Sequence, residues 1–189
     1  MSKRTPPRRA LPHLWILCLA LLPWSHAPGH AADLRFRHLT IDANGPRDPW
    51  VKIVGDVNGD GHADVIIGGR NGPVVWYAWP KWNKAVIGPG VAGVVDGEVG
   101  DMDRDGALDV VTAEMHQSAR DRVLLYLNED KGARWSRQVV ATTGSHNVRL
   151  ADFGNDGRLA IVGANWSEPY QPIEMWEQLS PESAAKSVK

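Results

Sequence analysis

Cysteine is nearly missing from this chain of 189 residues: Cys18 stands alone. No intramolecular disulfide can form, so a loop-rich fold must be held together by something else. Neither sign of charge dominates, with 21 Lys+Arg against 22 Asp+Glu, which excludes the basic stripe of a dedicated nucleic-acid binder. No apolar run reaches the roughly 20 residues that a membrane-crossing helix needs; the longest, Leu14–Leu22, has nine. A sustained helical period is missing too. Phenylalanine and tyrosine are scarce, 2 and 3, against 9 tryptophans. Glycine (19) and proline (13) are abundant, a composition of turns and short strands.

The ends differ from the middle. Residues 1–31 carry Lys3, Arg4, Arg8 and Arg9 and no acid, then the apolar Leu14–Leu22, then the small-residue stretch Ala27-Pro-Gly-His-Ala-Ala32. A basic start, a short apolar centre and a small-residue exit predict a secretory signal peptide over 1–31 and hence a secreted or periplasmic protein. Pro12 and the lack of a polar residue before Arg8-Arg9 make the pair a poor twin-arginine signal. Without residues 1–31 the chain has 17 Lys+Arg, 22 acids, a net charge of −5 and no cysteine. After cleavage nothing remains to insert stably in a membrane. Residues 180–189 read as a disordered tail.

Between these ends the sequence repeats. Val54-Gly-Asp-Val-Asn-Gly-Asp-Gly-His-Ala-Asp64, Val99-Gly-Asp-Met-Asp-Arg-Asp-Gly-Ala-Leu-Asp109 and Leu150-Ala-Asp-Phe-Gly-Asn-Asp-Gly-Arg-Leu-Ala160 align, their first aspartates 45 and 51 residues apart. Each is followed by a β-rich run (Val65–Gly68, Val110–Ala113, Ile161–Ala164) and then a second (Val74–Tyr77, Val123–Tyr126, Ile173–Trp176). A third kind of run recurs as His38–Ile41, Ala85–Ile87 and Gln138–Val140. About four short strands per repeat, punctuated by Gly, Asn, Asp and Pro, predict an all-β chain of propeller-type blades over 32–179. The repeats divide at about 33–83, 84–136 and 137–179. Trp76, Trp135 and Trp176 recur at strand positions, as residues that pack blade against blade do.

The acidic loops carry the chemistry. Asp-x-Asn/Asp-x-Asp-Gly-x-x-Asp puts oxygen donors at positions 1, 3, 5 and 9, with a carbonyl at 7 and a turn-permitting Gly at 6. Calcium takes six to eight hard oxygens at about 2.3–2.6 Å, which such a loop can supply. The ion would replace the missing disulfides as a staple. In the first loop the expected ligands are Asp56, Asn58, Asp60, Asp64 and the carbonyl of His62. In the second they are Asp101, Asp103, Asp105, Asp109 and the carbonyl of Ala107. The third loop keeps Asp152 and Asp156 but has Gly154 and Ala160 at positions 3 and 9, so weak binding or none is expected. An EF-hand or a dockerin would need an acidic residue at position 12, where Ile67 and Thr112 stand.

On these residues the chain resembles the FG-GAP/VCBS repeat of integrin α-subunit heads and secreted bacterial proteins. The resemblance covers residues 33–179. It implies β-propeller blades whose innermost strand runs into the calcium loop, with binding on the opposite face. Members range from adhesion heads and lectins to parts of polysaccharide lyases. Three repeats fall short of the at least four blades a closed ring needs, which leaves a fragment, an open stack or assembly of two chains.

At the end opposite the loops the repeats place Trp50 and Lys52, Asp96 and Glu98, and His146, Asn147 and Arg149. Glu114, His116 and Trp166 follow the second strands to the same end. Planar hydrogen-bonding groups beside indoles suit a glycan, so Trp50, Glu98, Glu114, His116, His146, Asn147, Arg149 and Trp166 form the candidate ligand set. The same face could equally take an extracellular protein. Glu114, His116, His146 and Arg149 could serve a lyase or hydrolase as acid, base and charge neutraliser. However, no nucleophile motif, phosphate loop or zinc spacing is present. The sequence therefore reads as an exported calcium-binding module for binding or interaction with no catalytic residue assigned, against the alternative of a fragment or accessory part of a carbohydrate-active enzyme such as a polysaccharide lyase or hydrolase.

Overall fold

The computed structural model describes residues 33–115, 122–165 and 172–180. The signal segment, His116, Trp166 and residues 181–189 lie outside them. The chain divides into a first unit ending at Leu39 and a second from Thr40 onward; the described part of the first, residues 33–39, has no regular structure and is exposed. The described residues of the second form strands and their connections, with no helix among them.

Blade 1 is a four-stranded sheet of β1 (Pro49–Gly55), β2 (Asp64–Gly69), β3 (Asn71–Ala78) and β4 (Asn83–Ala92). Blade 2 repeats it with β5 (Val94–Gly100), β6 (Asp109–Glu114), β7 (Val123–Asn128) and β8 (Trp135–Ala141). Blade 3 has three strands, β9 (Asn147–Ala151), β10 (Ala160–Ala164) and β11 (Ile173–Trp176). All neighbours are antiparallel and consecutive. No sheet closes on itself, so the architecture is an open, incomplete propeller.

Alternation places the core. In β1 Val51 and Ile53 are buried while Lys52 and Val54 face out. In β6 every residue is buried, because the middle strand of the middle blade is covered on both faces. One apolar cluster joins blades 1 and 2 through Ile53, Trp76, Ile87, Val110 and Tyr126, with Trp135 against it. A second joins blades 2 and 3 through Val111, Leu125, Val148 and Ile161, with Trp176 against it. The three repeated tryptophans thus pack between blades. The innermost strands approach closely: a Cβ on Gly97 would sit 2.7 Å from the Val111 carbonyl oxygen and 2.8 Å from Ile53 Cδ1, and the backbone contact requires glycine there.

Two expected strands are missing. Blade 3 shows no fourth strand among the described residues, and His38–Ile41 forms none. A strand needs a neighbour for its backbone groups, and this segment has no paired strand.

Residues 42–48 are nevertheless held on blade 1. Tyr77 OH and Lys84 Nζ donate to Asp42 Oδ2 at 2.9 and 2.6 Å, and the Asn44 amide donates to Asp42 Oδ1 at 2.7 Å. Lys84 foremost, then the Asn44 amide and Tyr77, hold the Asp42 carboxyl down at about 2; burial and then Asp42 push Tyr77 up to about 12. The Asp42 contribution is therefore complete above the ordinary carboxylate pKa near 4 and is lost as pH falls through about 2. The Tyr77 contribution is complete below pH 10 and is lost as pH rises through about 12. The Asn44 amide chemical shift, followed downward from pH 6, is expected to titrate near 2; a midpoint near 4 would show that the clamp does not form.

Candidate metal loops and the inter-blade ladder

Each innermost strand runs directly into an acidic loop, and the loops close by short-range hydrogen bonds from backbone to carboxylate. In the first, the amides of Asp60 and Gly61 donate to the two oxygens of Asp56 at 3.0 and 2.8 Å. In the second, Asp105 and Gly106 donate to Asp101 at 3.0 Å each. In the third, Asp156 and Gly157 donate to Asp152 at 3.1 and 2.8 Å. Gly61, Gly106 and Gly157 all have positive φ, 86°, 91° and 82°, the conformation that glycine adopts without strain.

Position 9 is built differently. Asp64 and Asp109 are buried, 0% and 1% exposed, and each carboxylate accepts two amides. Val57 and Trp79 donate to Asp64 at 3.1 and 2.9 Å, and Met102 and Asn128 to Asp109 at 2.7 and 2.8 Å. Each thus ties its loop to the end of the third strand of its own blade. Burial pushes the Asp109 carboxyl up, the amides of Asn128 and Met102 oppose this, and Asp103 and Asp105 add to it. A cation beside this group would offset both the burial and the repulsion.

The second loop gathers its acids best. Oxygens of Asp101, Asp103 and Asp109 lie within 4.8 Å of one another, as close as donors on a shell of about 2.3–2.6 Å around one ion must be. All donors there are hard oxygens, so the residues fit a calcium ion. Asp105 turns its Oδ1 to the Ala107 amide at 2.8 Å. In the first loop His62 donates its amide to Asp60 Oδ1 at 2.9 Å, and Asn58 Nδ2 donates to Asp60 Oδ2 at 3.1 Å. The third loop supplies its own cation: the Arg158 guanidinium pairs with Asp156. Ala160, at position 9, is buried.

The described candidate ligand residues are largely engaged by other residues of the fold. Glu98 accepts the Leu150 amide at 2.7 Å. Asp96 accepts Asn147 Nδ2, the Val148 amide and Arg149 Nη1 at 3.2, 2.9 and 2.8 Å. These carboxylates join the inner strand of blade 2 to that of blade 3. His146 Nδ1 lies 2.7 Å from Asn147 Oδ1. Glu114 is buried and paired with Arg122 Nε at 2.6 Å. Trp50 is 41% exposed, with the Arg70 guanidinium 5.4 Å from its ring centroid. The described residues bring these groups to one end, and in three clusters rather than one.

Two further residues hold the blades together. Asn128 Nδ2 donates to the carbonyls of Val57 and Leu108 at 2.8 and 3.2 Å. Gln178 Nε2 does the same one blade on, to Met102 and Leu159 at 2.7 and 3.0 Å. Val57 and Met102 are position 2 of successive loops, so a ladder runs Asp64–Val57–Asn128–Asp109–Met102–Gln178 across the loop end of all three blades. The signal that would have revealed it is an amide two residues after the aromatic Tyr126 and Trp176. Blade 1 breaks that pattern with Trp79.

Antiparallel blades whose first two strands are joined by Asp-Gly loops define a repeat protein of propeller type. The FG-GAP-like repeat model matches residues 56–112 and 101–162, and the chain belongs to that family. No curated protein matches it. No helix among the described residues is long and apolar enough to cross a membrane.

Proposed function

We propose that this protein is an exported, calcium-stapled interaction module whose partner is a glycan or another extracellular protein. The observation that carries the reading is the acidic triad of the second loop, hard-donor and partly buried, hydrogen-bonded into the inter-blade ladder. An ion held by Asp101, Asp103 and Asp109, completed by Asp105 and the Ala107 carbonyl, would neutralise the triad and fix the ladder. The same role falls to Asp56, Asn58, Asp60, Asp64 and the His62 carbonyl in the first loop. The basic start and apolar centre of residues 1–31 support export. At the far end Trp50 supplies an exposed indole, and Arg149, Asn147 and His146 supply planar polar groups, the chemistry with which a sugar is bound. The buried pairing of Glu114 with Arg122 favours binding over catalysis.

Thermal unfolding with 10 mM calcium and then with chelator tests the reading. At the affinity of extracellular modules, about 10⁻⁴–10⁻³ M, each site adds about 1.4–2.7 kcal/mol, several degrees in Tm. Titration is expected to give two ions per chain, the third loop being served by Arg158. An unchanged transition would overturn the calcium reading. A glycan array probed in calcium and in chelator then tests the partner, with calcium-dependent retention expected.

A further inference from the structure

Blade 3 lacks a fourth strand among the described residues, and the chain carries a fourth-strand sequence that has no blade. Trp82 and the start of β4 read Trp82-Asn-Lys-Ala-Val-Ile87, and β8 begins Trp135-Ser-Arg-Gln-Val-Val140. Residues 36–41 read Phe-Arg-His-Leu-Thr-Ile, the same order of aromatic, polar or basic residue, basic residue, and β-prone run. In both complete blades the basic residue faces a tyrosine of the third strand, Lys84 opposite Tyr77 and Arg137 opposite Tyr126. Trp176 holds that position in β11.

Residues 42–48 also behave as part of an outer strand. Against blade 2, Tyr126 packs on Gly88 of β4 so tightly that no Cβ would fit. Against blade 1, residues 42–48 take that place: Asp42 holds Tyr77 and Lys84, Gly45 lies beside the Tyr77 hydroxyl, and the Asp48 carbonyl accepts the Arg70 amide at 3.1 Å. Gly45-Pro46 even repeats Gly88-Pro89. Residues 36–48 thus carry the sequence and the blade-1 contacts of an outer strand while pairing with no strand among the described residues.

The seat for such a strand is open on blade 3. The outer edge of β11 is unpaired among the described residues, with Ile173 and Met175 exposed. Beside it a groove of about 430 Å³ is lined by Leu125, Leu127, Val140, Ile161, Trp176 and Leu179. The corresponding positions of blade 1, Trp76, Ala78 and Ile87, share a cluster with Trp135 at the start of β8. Phe36, the aromatic equivalent of Trp135, is 91% exposed. Charge agrees at one position: in the register of β7 with β8, Arg37 would face Glu177.

The blade faces at the two ends complement each other as well. Between blades, Gly55 faces Leu108 and Gly100 faces Leu159, with no slack for a Cβ. At the outer face of blade 3 the glycine position is Ala151, and on the leading face of blade 1 the leucine position is Ala63. Phe153, whose counterparts Val57 and Met102 are buried between blades, is 59% exposed.

We propose that two copies of this chain close a six-bladed ring by exchanging strands, residues 36–41 of each adding to the free edge of β11 in the other. Main-chain hydrogen bonds supply the pairing, and Phe36 fills the groove. Blade 3 of each copy then packs on blade 1 of its partner, a two-fold arrangement that leaves no open end. Six blades fall within the range that closes.

Sedimentation of the purified protein in calcium, from 1 to 100 µM, is expected to give twice the mass of one chain. Phe36→Asp should raise the dissociation constant roughly a thousandfold, about 30-fold for each of two seats. Its calcium-dependent melting should survive, because Phe36 is exposed within its own chain. Phe36→Trp, the residue of the other two repeats, should leave the dimer intact. A synthetic peptide of residues 33–42 should bind the Phe36→Asp protein, and the same peptide carrying Asp at 36 should not. A monomer at every concentration, or a dimer indifferent to Phe36→Asp, would overturn the proposal.

Discussion

Asp109→Ala is expected to lower the melting temperature by on the order of 10 °C and to remove the calcium response of the second loop. The carboxylate is buried, and its two oxygens accept the amides of Met102 and Asn128. Alanine leaves both amides inside the protein without an acceptor, each costing about 1–3 kcal/mol. It also removes one of the three acids drawn together within 4.8 Å. Asp103→Ala separates the two effects, because Asp103 is exposed: calcium titration should lose one ion while melting in chelator stays within about 1 kcal/mol of the parent. Equal destabilisation by the two variants in chelator would show that the buried amides are not the cause.

The second large effect is expected at Asn128, which no metal reading singles out. Its side chain is 2% exposed and makes three hydrogen bonds, to the Val57 and Leu108 carbonyls and from the Gly132 amide at 2.6 Å. Two of them stay within blade 2, and the bond to Val57 crosses 71 positions of sequence to blade 1. Asn128→Ala should cost about 2–4 kcal/mol, mostly from the buried groups left unpaired. It should also lower the cooperativity between blades, since the ladder is cut at its middle rung. Hydrogen exchange reads this directly: amides of β1 and β2 should lose protection relative to those of β6. Uniform loss across all three blades would mean that Asn128 contributes to stability without coupling the blades. Gln178→Ala, at the half-buried end of the ladder, should follow the same pattern more weakly.

The loops are legible in the sequence because their chemistry is local. Asp56 and Asp101 accept amides four and five residues on, so the spacing of Asp and Gly already contains the turn. Strand positions are readable for the same reason: alternation and β-branched runs specify β2, β6 and β7 without reference to anything distant. His38–Ile41 shows where this stops. Its sequence is that of an outer strand, yet pairing depends on a neighbour that no local pattern supplies.

The residues at the far end show the same limit from another side. Glu98, Asn147 and Arg149 read as available because nothing nearby in sequence occupies them. The fold brings residues 51 to 53 positions apart together there, Asp96 with Asn147, Val148 and Arg149, and Glu98 with Leu150 is separated by 52. Glu98, a carboxylate of the candidate ligand set, and Asp96 beside it also hold one inner strand to the next.

The repeat, the all-β class, the oxygen-rich loops and the smaller donor set of the third loop are thus written in the order of residues, since each follows from contacts within about ten positions. The burial of Asp64 and Asp109 as anchors, the blade-to-blade ladder through Asn128 and Gln178, and the unpaired edge at β11 emerge only on folding. Those features arise where separate repeats pack together, and burial and satisfaction of polar groups there depend on the partner surface rather than on the order of residues in either one.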